Sequence, residues 1–249
     1  MEQKFFFFDI DNTLAVWPEG KIPNSAQYCI DELQRRGHLV SIATGRIQVD
    51  AMRFAEQARI TNVVADGGHS ITIDGNLVSM IGMNREMCIQ YLEYLESKHI
   101  PWAVTDRNKL GRITPYKEIL EWHPDWDVFK TVVDPEFDFH SVADFYKIYV
   151  FFKDGEEEEK DIEHMTHKLI RYGEGCVLYE PMEKALGIRN MIGHFDMKPN
   201  QVVVFGDGYN DLSMFRPEWL NIAMGNARPE LKLEADYVTT DCDKDGIYN

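Results

Sequence analysis

The sequence lacks the features that place a chain in a membrane or outside the cell. Its apolar runs, such as FFFF and VVVF, are far shorter than the roughly 20 residues that a membrane-spanning helix needs. No positively charged segment followed by an apolar stretch and a cleavage site opens the chain, so we expect a cytoplasmic protein. The four cysteines include no CxxC pair, so neither a disulfide framework nor a zinc site is expected.

Positive charge is also scarce. Lysine and arginine number 26 against 42 aspartates and glutamates, which gives a formal net charge of -16. Such an acidic surface repels nucleic acid and anionic lipid, so we expect no nucleic-acid partner and no membrane partner. Small phosphorylated molecules remain possible, because lysines, backbone N–H groups or a divalent cation can reverse the sign inside one cleft.

The first third of the chain alternates buried strands with amphipathic helices. Short apolar runs predict the strands, and apolar residues at helical spacing predict the helices between them. This alternation is typical of an α/β fold with a doubly wound parallel sheet. The predicted elements are the strand Phe5–Phe8, the helix Ser25–Arg36, the strand His38–Ala43, the helix Val49–Ala58 and the strand Asn62–Ala65.

The alternation of strands and helices is interrupted in the middle of the chain and then resumes. Between Pro101 and Pro181, strand candidates and proline-bearing loops surround one helix, predicted from Glu156 to about Arg171. After Pro181 the alternation of strand and helix resumes, with a buried strand at Gln201–Phe205 and a helix predicted from Asp211. We therefore predict a core domain of residues 1–82 and 183–249, interrupted by an inserted α+β domain of residues 83–182.

Three polar clusters follow predicted strands of the core. They are Asp9–Thr13, Thr44–Arg46 and Gly206–Asp211. A single carboxylate or Thr-Gly after a strand is most often a helix cap or a turn. However, ligands bind beyond the carboxyl ends of parallel strands, so all three clusters are expected at one crevice. Several carboxylates that converge there need a cation or a proton between them.

These residue types suggest phosphoryl-transfer chemistry. Asp9 and Asp11 are two residues apart, so both side chains point the same way while the chain stays extended. With Asp207 from a neighbouring strand end they form a set of hard oxygen ligands that suits Mg2+. Thr44 and Lys184 can neutralise phosphoryl oxygens. One carboxylate would then be a nucleophile and another would handle protons, which is catalysis through an aspartyl-phosphate.

In chain order the sequence contains the motifs Asp9-Ile-Asp11-Asn-Thr13, Thr44-Gly45-Arg46, Lys184-Ala-Leu-Gly187-Ile188 and Gly206-Asp207-Gly208-Tyr209-Asn210-Asp211. These four motifs resemble those of the haloacid dehalogenase (HAD) superfamily, and the third has the form found in its Cof-type branch. The long insertion between the second and third motifs resembles a C2 cap, in its larger C2B variant. One departure is Asp66-Gly67-Gly68, where Cof-type proteins more often have Asn-Gly-Ala, and this leaves the role of that loop open.

The resemblance implies roles for four aspartates. Asp9 would attack phosphorus and also bind Mg2+. Asp11 would protonate the leaving oxygen and later deprotonate the attacking water, and its backbone carbonyl would bind the ion. Asp207 would be the third protein ligand, and Asp211 would hold a water ligand of the ion.

The resemblance also implies a set of phosphate-binding residues. Thr44, Lys184 and Asn210 would bind phosphate oxygens, and the loop that contains Gly45 belongs to the same substrate-binding set. For Arg46 the resemblance leaves two roles open, a contact with the substrate or a brace for the loop.

The predicted function is that of a Mg2+-dependent phosphomonoester hydrolase that acts on a small phosphorylated metabolite. A sugar phosphate is the leading substrate class, while nucleotides, pyridoxal phosphate and flavin mononucleotide remain open. Three alternatives remain: a sugar phosphomutase of the same fold, a phospho-aspartate signalling switch, and a divalent-metal binding protein without turnover. His164 and His167 are not in an HExxH motif, which argues against a histidine metal site. Whether the protein is a monomer or a dimer cannot be read from the sequence.

Overall fold

A computed structural model of the chain describes residues 2–126, 128–153, 156–159, 161–162 and 169–249. His164, His167 and the central part of the helix predicted after Glu156 lie outside the described residues. The chain forms two compact units. The core unit comprises Met1–Met80 and Met182–Asn249, and the inserted unit comprises Ile81–Pro181.

The described residues form fourteen strands and seven α-helices, numbered in chain order. The strands are β1 (Phe5–Phe8), β2 (Leu39–Ala43), β3 (Asn62–Ala65), β4 (Ser70–Ile73), β5 (Asn76–Met80), β6 (Trp102–Thr105), β7 (Gly111–Thr114), β8 (Lys130–Val133), β9 (Lys147–Phe151), β10 (Leu169–Gly173), β11 (Cys176–Tyr179), β12 (Val202–Gly206), β13 (Leu220–Ala223) and β14 (Tyr237–Val238). The helices are α1 (Asn24–Arg35), α2 (Gln48–Ala58), α3 (Arg85–Ser97), α4 (Ile119–Trp122), α5 (Glu156–Glu159), α6 (Lys184–His194) and α7 (Pro229–Leu233).

The core unit is built on one eight-stranded sheet, in the order β14-β13-β12-β1-β2-β3-β4-β5. The six strands from β14 to β3 are parallel, and β4 and β5 form an antiparallel hairpin at one edge. Strand order runs outward from β1 in both directions, which is the doubly wound arrangement. The predicted α/β fold class is therefore confirmed.

Strand β1 lies at the centre of this sheet. Phe8 is opposite Phe205 of β12 on one side and Ile42 of β2 on the other. Phe5, Phe7 and Phe8 are fully buried, because the helices that connect parallel strands cover both faces of the sheet. The position at which β1 ends is thus held by pairing on both sides.

The inserted unit has its own six-stranded sheet, in the order β10-β11-β9-β6-β7-β8. Every neighbouring pair is antiparallel except β7 and β8. In β6, β9, β10 and β11, alternate side chains enter different hydrophobic clusters, as Trp102 and Ala103 of β6 do, so both faces of this part of the sheet are packed. Among the described residues, no helix is long and apolar enough to cross a membrane.

The structure differs from the sequence-based prediction at two elements. The helix predicted to reach Arg171 is wrong at its end, because Leu169–Gly173 is strand β10 and pairs with β11. The turn between them has Gly175 at φ 65°, a conformation that favours glycine and is typical of a tight hairpin turn. A helix predicted from Asp211 is instead the short 3₁₀ turn Tyr209–Ser213.

Candidate active site

Three strands of the core unit end beside one another and deliver the predicted polar residues. Asp9 directly follows β1, Thr44 follows β2, and Asp207 follows β12. The Asp9 N–H still donates to the Phe205 carbonyl at 3.0 Å, so Asp9 stays in register with β12. The chain turns directly after Asp9, as the hydrogen bond from the Leu14 N–H back to the Asp9 carbonyl shows. The extended geometry that was predicted to align Asp9 with Asp11 therefore ends at Asp9.

Lys184 connects two of the aspartates. Its Nζ donates to Asp9 Oδ1 at 2.7 Å and to Asp211 Oδ1 at 2.6 Å. All three side chains are buried, with exposed fractions of 1%, 6% and 0% for Lys184, Asp9 and Asp211. Burial alone would lower the pKa of Lys184, but the two carboxylates outweigh it and raise that pKa. Lys184 is therefore held as a buried cation.

Two glycines let α6 approach the loop after β3 and so place Lys184. Gly68 has φ 108°, and a Cβ there would lie 2.2 Å from the Glu183 carbonyl oxygen. A Cβ on Gly187 would lie 2.4 Å from Val64 Cγ1. The Glu183 N–H also donates to the Gly67 carbonyl at 2.7 Å. The Asp66-Gly67-Gly68 loop, whose role the sequence leaves open, thus supports the first turn of α6.

Asp211 organises the loop after β12. Its Oδ2 accepts hydrogen bonds from the backbone N–H groups of Asp207 and Gly208, both at 2.8 Å. Asp207 is further fixed by the Thr13 hydroxyl, which donates to its Oδ1 at 3.2 Å. Asn210 lies half-buried in the same 3₁₀ turn. These bonds fix the loop that leads from β12 into the 3₁₀ turn.

A divalent cation fits this cluster of carboxylates. One oxygen from each of Asp9, Asp207 and Asp211 lies within 4.8 Å of the other two. Three carboxylates face the single ammonium of Lys184, so negative charge is in excess, and burial makes that excess costly. Burial raises the pKa of Asp9 well above its usual value, and the Asp211 carboxylate adds to the effect. Hard oxygen ligands with surplus negative charge are what Mg2+ requires.

The pKa of Asp207 leads to a prediction about stability without metal. Burial, reinforced by the Asp211 carboxylate, raises that pKa to about 7 from its usual 3.8. Between pH 3.8 and about pH 7, the folded protein therefore keeps a proton on Asp207 that the unfolded chain releases. The free energy of unfolding accordingly falls as pH rises through this range, because ionisation of Asp207 opposes folding. We expect Asp207→Asn to raise the melting temperature of the metal-free protein at pH 8 by about 2–6 °C. Below pH 4 this advantage should disappear.

Melting curves in chelator at pH 4 and pH 8, followed by circular dichroism, measure this difference. Asp74→Asn is the matched control, since Asp74 is an exposed turn residue far along the sheet at the β4–β5 hairpin. It should leave the melting temperature unchanged at both pH values. A metal-free Asp207→Asn protein that melts below wild type at pH 8 would contradict the proposed excess of negative charge.

Asp11 and Arg46 form a separate ion pair beside the cluster. Arg46 Nε donates to Asp11 Oδ2 at 2.9 Å, and Arg46 Nη2 donates to Asp11 Oδ1 at 2.7 Å. The Arg46 backbone N–H donates to the Thr44 hydroxyl at 3.1 Å, across the half-buried Gly45. Direct contacts thus join Asp9, Lys184, Asp211 and Asp207 in one group, while Asp11, Arg46 and Thr44 form a second.

Sequence reasoning assigned no role to two residues that support these groups. Thr13 lies within the first motif, but its hydroxyl bond to Asp207 could not be read from the sequence. Asp50 accepts a hydrogen bond from Arg46 Nη1 at 2.6 Å. Asp50 lies four residues after Arg46, in the first turn of a predicted helix, and this spacing was the signal in the sequence that could have indicated the contact.

Comparison with known proteins gives the chain a family. A family profile described as haloacid dehalogenase-like hydrolase matches residues 6–249. A putative phosphatase of Bacillus subtilis, YkrA, is 30% identical over 99% of this chain and 96% of its own length. A putative bifunctional phosphatase/peptidyl-prolyl cis-trans isomerase of Streptococcus pyogenes is 27% identical over 98% of this chain, which spans only 52% of that protein.

Solved structures show the same likeness. The structure of a HAD subclass IIB sugar phosphatase superposes with a TM-score of 0.78 at 26% sequence identity. The match covers 99% of this chain and 96% of that structure, so it includes the inserted unit as well as the core unit.

Proposed function

This chain belongs to the haloacid dehalogenase-like hydrolase family, and we propose that it is a Mg2+-dependent phosphomonoester hydrolase that acts through an aspartyl-phosphate on Asp9. The family resemblance predicted from the four motifs is thereby confirmed. The mechanism, the metal and the substrate are our proposal. The observation that supports it most directly is the contact of Lys184 Nζ with both Asp9 and Asp211.

The contact with Lys184 suits a carboxylate nucleophile. An ammonium 2.7 Å from Asp9 Oδ1 orients that oxygen and lowers the cost of keeping it charged in a buried position. The same ammonium can neutralise a phosphoryl oxygen when a substrate lies against Asp9. Thr44 and Asn210 are the proposed additional contacts with the phosphoryl group, since each offers a polar hydrogen near the strand ends.

Asp9, Asp207 and the backbone carbonyl of Asp11 are the proposed protein ligands of Mg2+. Asp211 is proposed to hold a water ligand of the ion. When bound, the ion would offset the negative charge of the carboxylates and of the phosphoryl group. The excess of carboxylates over ammonium in the described cluster supports this assignment.

The proposed reaction has two halves in which the protein residues exchange one proton with the substrate and water. First, an oxygen of Asp9 forms a bond to phosphorus, the bond from phosphorus to the ester oxygen breaks, and Asp11 gives its proton to that oxygen. In the second half, water attacks phosphorus and gives a proton to Asp11. The bond between Asp9 and phosphorus then breaks, which releases inorganic phosphate and restores both aspartates.

A sugar phosphate is the proposed substrate class. One relative of solved structure is described as a sugar phosphatase, and it matches this chain over both units. From the resemblance to a C2B cap, we propose that residues 83–182 select the part of the substrate beyond the phosphate. We propose a cytoplasmic location, which the four unpaired cysteines support.

Phosphate release from a panel of esters tests the proposed function. The panel should contain hexose and pentose phosphates, a nucleoside monophosphate, pyridoxal phosphate and flavin mononucleotide. We expect phosphate release in Mg2+, with at least one sugar phosphate among the best substrates, and a loss of at least about 100-fold in chelator. Excess Mg2+ should restore the rate. Equal rates with and without chelator would contradict the proposed metal requirement.

Incubation of the protein with a sugar bisphosphate distinguishes a hydrolase from a phosphomutase. A mutase must return the phosphoryl group to a sugar hydroxyl, so a sugar bisphosphate would yield an isomerised sugar monophosphate. A hydrolase releases inorganic phosphate and leaves the remaining phosphate at its position. We expect free phosphate, measured by a colorimetric assay, and no isomer, measured by phosphorus NMR.

A further inference from the structure

The ion pair of Asp11 and Arg46 is held more firmly than a surface contact. Both carboxylate oxygens of Asp11 accept from one guanidinium, at 2.7 Å and 2.9 Å. A bidentate pair of this kind fixes the orientation of the carboxylate as well as its distance. The Asp11 side chain keeps 40% of its surface exposed, so without this pair nothing in the described contacts of its carboxylate would hold one rotamer.

Arg46 is itself fixed from the opposite side. Its Nη1 donates to Asp50 Oδ2 at 2.6 Å, and Asp50 Oδ1 accepts from Arg53 Nη1 at 3.0 Å. The guanidinium carbon lies 4.6 Å from the centre of the Phe54 ring, a distance at which a cation and an aromatic face attract. Helix α2 supplies Asp50, Arg53 and Phe54, so the position of Arg46 is tied to a rigid element.

The backbone of Arg46 ties the pair to the phosphate-binding loop. Its N–H donates to the Thr44 hydroxyl at 3.1 Å, and its carbonyl accepts from the Asp66 N–H at 2.8 Å. Thr44 is 1% exposed. Any displacement of Arg46 would therefore move the loop that follows β2, together with the carboxylate of Asp11.

We propose that Arg46 is a positioning residue for Asp11: its guanidinium holds the Asp11 carboxyl group in place, where the protonated form gives its proton to the leaving oxygen and the ionised form later takes one from water. This inference rests on the proposed function. It assigns Arg46 to the proton-transfer group and not to the phosphate, and so favours the brace over the substrate contact, the two roles that the sequence leaves open. The Asp50 carboxylate and the Phe54 ring then act through Arg46.

Leaving-group chemistry separates this role from phosphate binding. An alkyl ester such as a sugar phosphate needs a proton on its leaving oxygen, while 4-nitrophenolate leaves as a stable anion and needs little acid assistance. A residue that orients Asp11 therefore affects the first half of the reaction with the alkyl ester only. A residue that binds the phosphoryl group affects both esters alike, because both carry the same group.

Arg46→Ala and Arg46→Lys provide the test, since lysine keeps the charge but cannot form the two-pronged bond. In single-turnover measurements with the full chain and Mg2+, we expect release of the alkyl leaving group to slow by about 10- to 100-fold in both variants. Release of 4-nitrophenolate should slow by less than about threefold, and KM for either ester should change by less than about threefold. Arg35→Ala is the matched control, because Arg35 is exposed and its ion pair is with Glu32, and it should match wild type.

A double variant supplies a second readout. If Arg46 acts through Asp11, adding Arg46→Ala to Asp11→Asn should slow alkyl-ester turnover by no more than about twofold beyond Asp11→Asn alone. Equal losses for the two esters, a rise in KM for both, multiplying effects in the double variant, or no effect of either Arg46 variant would each overturn the proposal. Loss of the proposed function itself is distinct, since wild type would then release no phosphate from either ester.

Discussion

Asp9→Asn is expected to lower kcat for phosphate release by at least about 10⁴-fold, because an amide oxygen cannot form the covalent bond to phosphorus that the proposed mechanism requires. The fold should survive the change. Burial raises the pKa of Asp9, so the charged carboxylate is costly at this position and a neutral amide of the same shape removes that cost. Its Oδ1 can still accept the hydrogen bond from Lys184.

Steady-state phosphate release and the melting temperature should be measured on the same Asp9→Asn preparation. Asp196→Asn is the matched control, because Asp196 is exposed and has φ 52°, a conformation that asparagine also tolerates. That control should match wild type in both measurements. Wild-type turnover by Asp9→Asn would refute the aspartyl-phosphate. Inactivity combined with an unfolded circular dichroism spectrum would show that the premise of a retained fold is wrong.

Lys184→Met is expected to lose both stability and activity. The substitution removes the cation between Asp9 and Asp211 and leaves two buried carboxylates without their ammonium partner. Removal of one partner from a buried ion pair costs roughly 3–5 kcal/mol, which corresponds to a fall of about 10 °C in melting temperature. Because the folded pKa of Lys184 is raised, its stabilising effect is fully present at all pH values below its usual pKa of 10.5.

A compensating variant makes the Lys184 prediction specific. In chelator at pH 7.5, the double variant Lys184→Met/Asp211→Asn should have a higher melting temperature than Lys184→Met alone, because it lacks one of the two unpaired buried carboxylates. Lys198→Met is the control, because Lys198 is exposed at the start of a 3₁₀ turn, and it should melt with wild type. In Mg2+, Lys184→Met should lose at least about 100-fold in kcat/KM. A melting temperature equal to that of wild type would contradict the buried cation.

The ends of the core strands could be predicted from the sequence because burial determines them. Four consecutive phenylalanines, Phe5–Phe8, have no alternation and fit only a strand covered on both faces, and the structure gives this strand the predicted bounds. Asp9 follows it at once. Thr44 and Asp207 similarly follow apolar runs that form β2 and β12. Local pattern alone was therefore enough to predict which residues meet at one edge of the sheet.

Side-chain partners could not be predicted in the same way. Asp11 and Arg46 are 35 residues apart, and no local spacing records that one will meet the other. The alternation rule aligned Asp11 with Asp9 on the assumption of an extended chain, but the Ala15 N–H donates to the Ile10 carbonyl at 2.8 Å and closes a turn there. The partners of Arg46 are therefore set by contacts that depend on how the chain folds back on itself.

The central position of β1 has a consequence during protein synthesis. One edge of β1 can pair with β2 once both have left the ribosome, but its other edge pairs with β12, which starts at Val202. The whole inserted unit is translated in the interval. Throughout that time the apolar edge of Phe5–Phe8 has no native neighbour, and unpaired strand edges favour aggregation. Nascent chains that stop within the inserted unit are therefore expected to aggregate more readily than the complete chain.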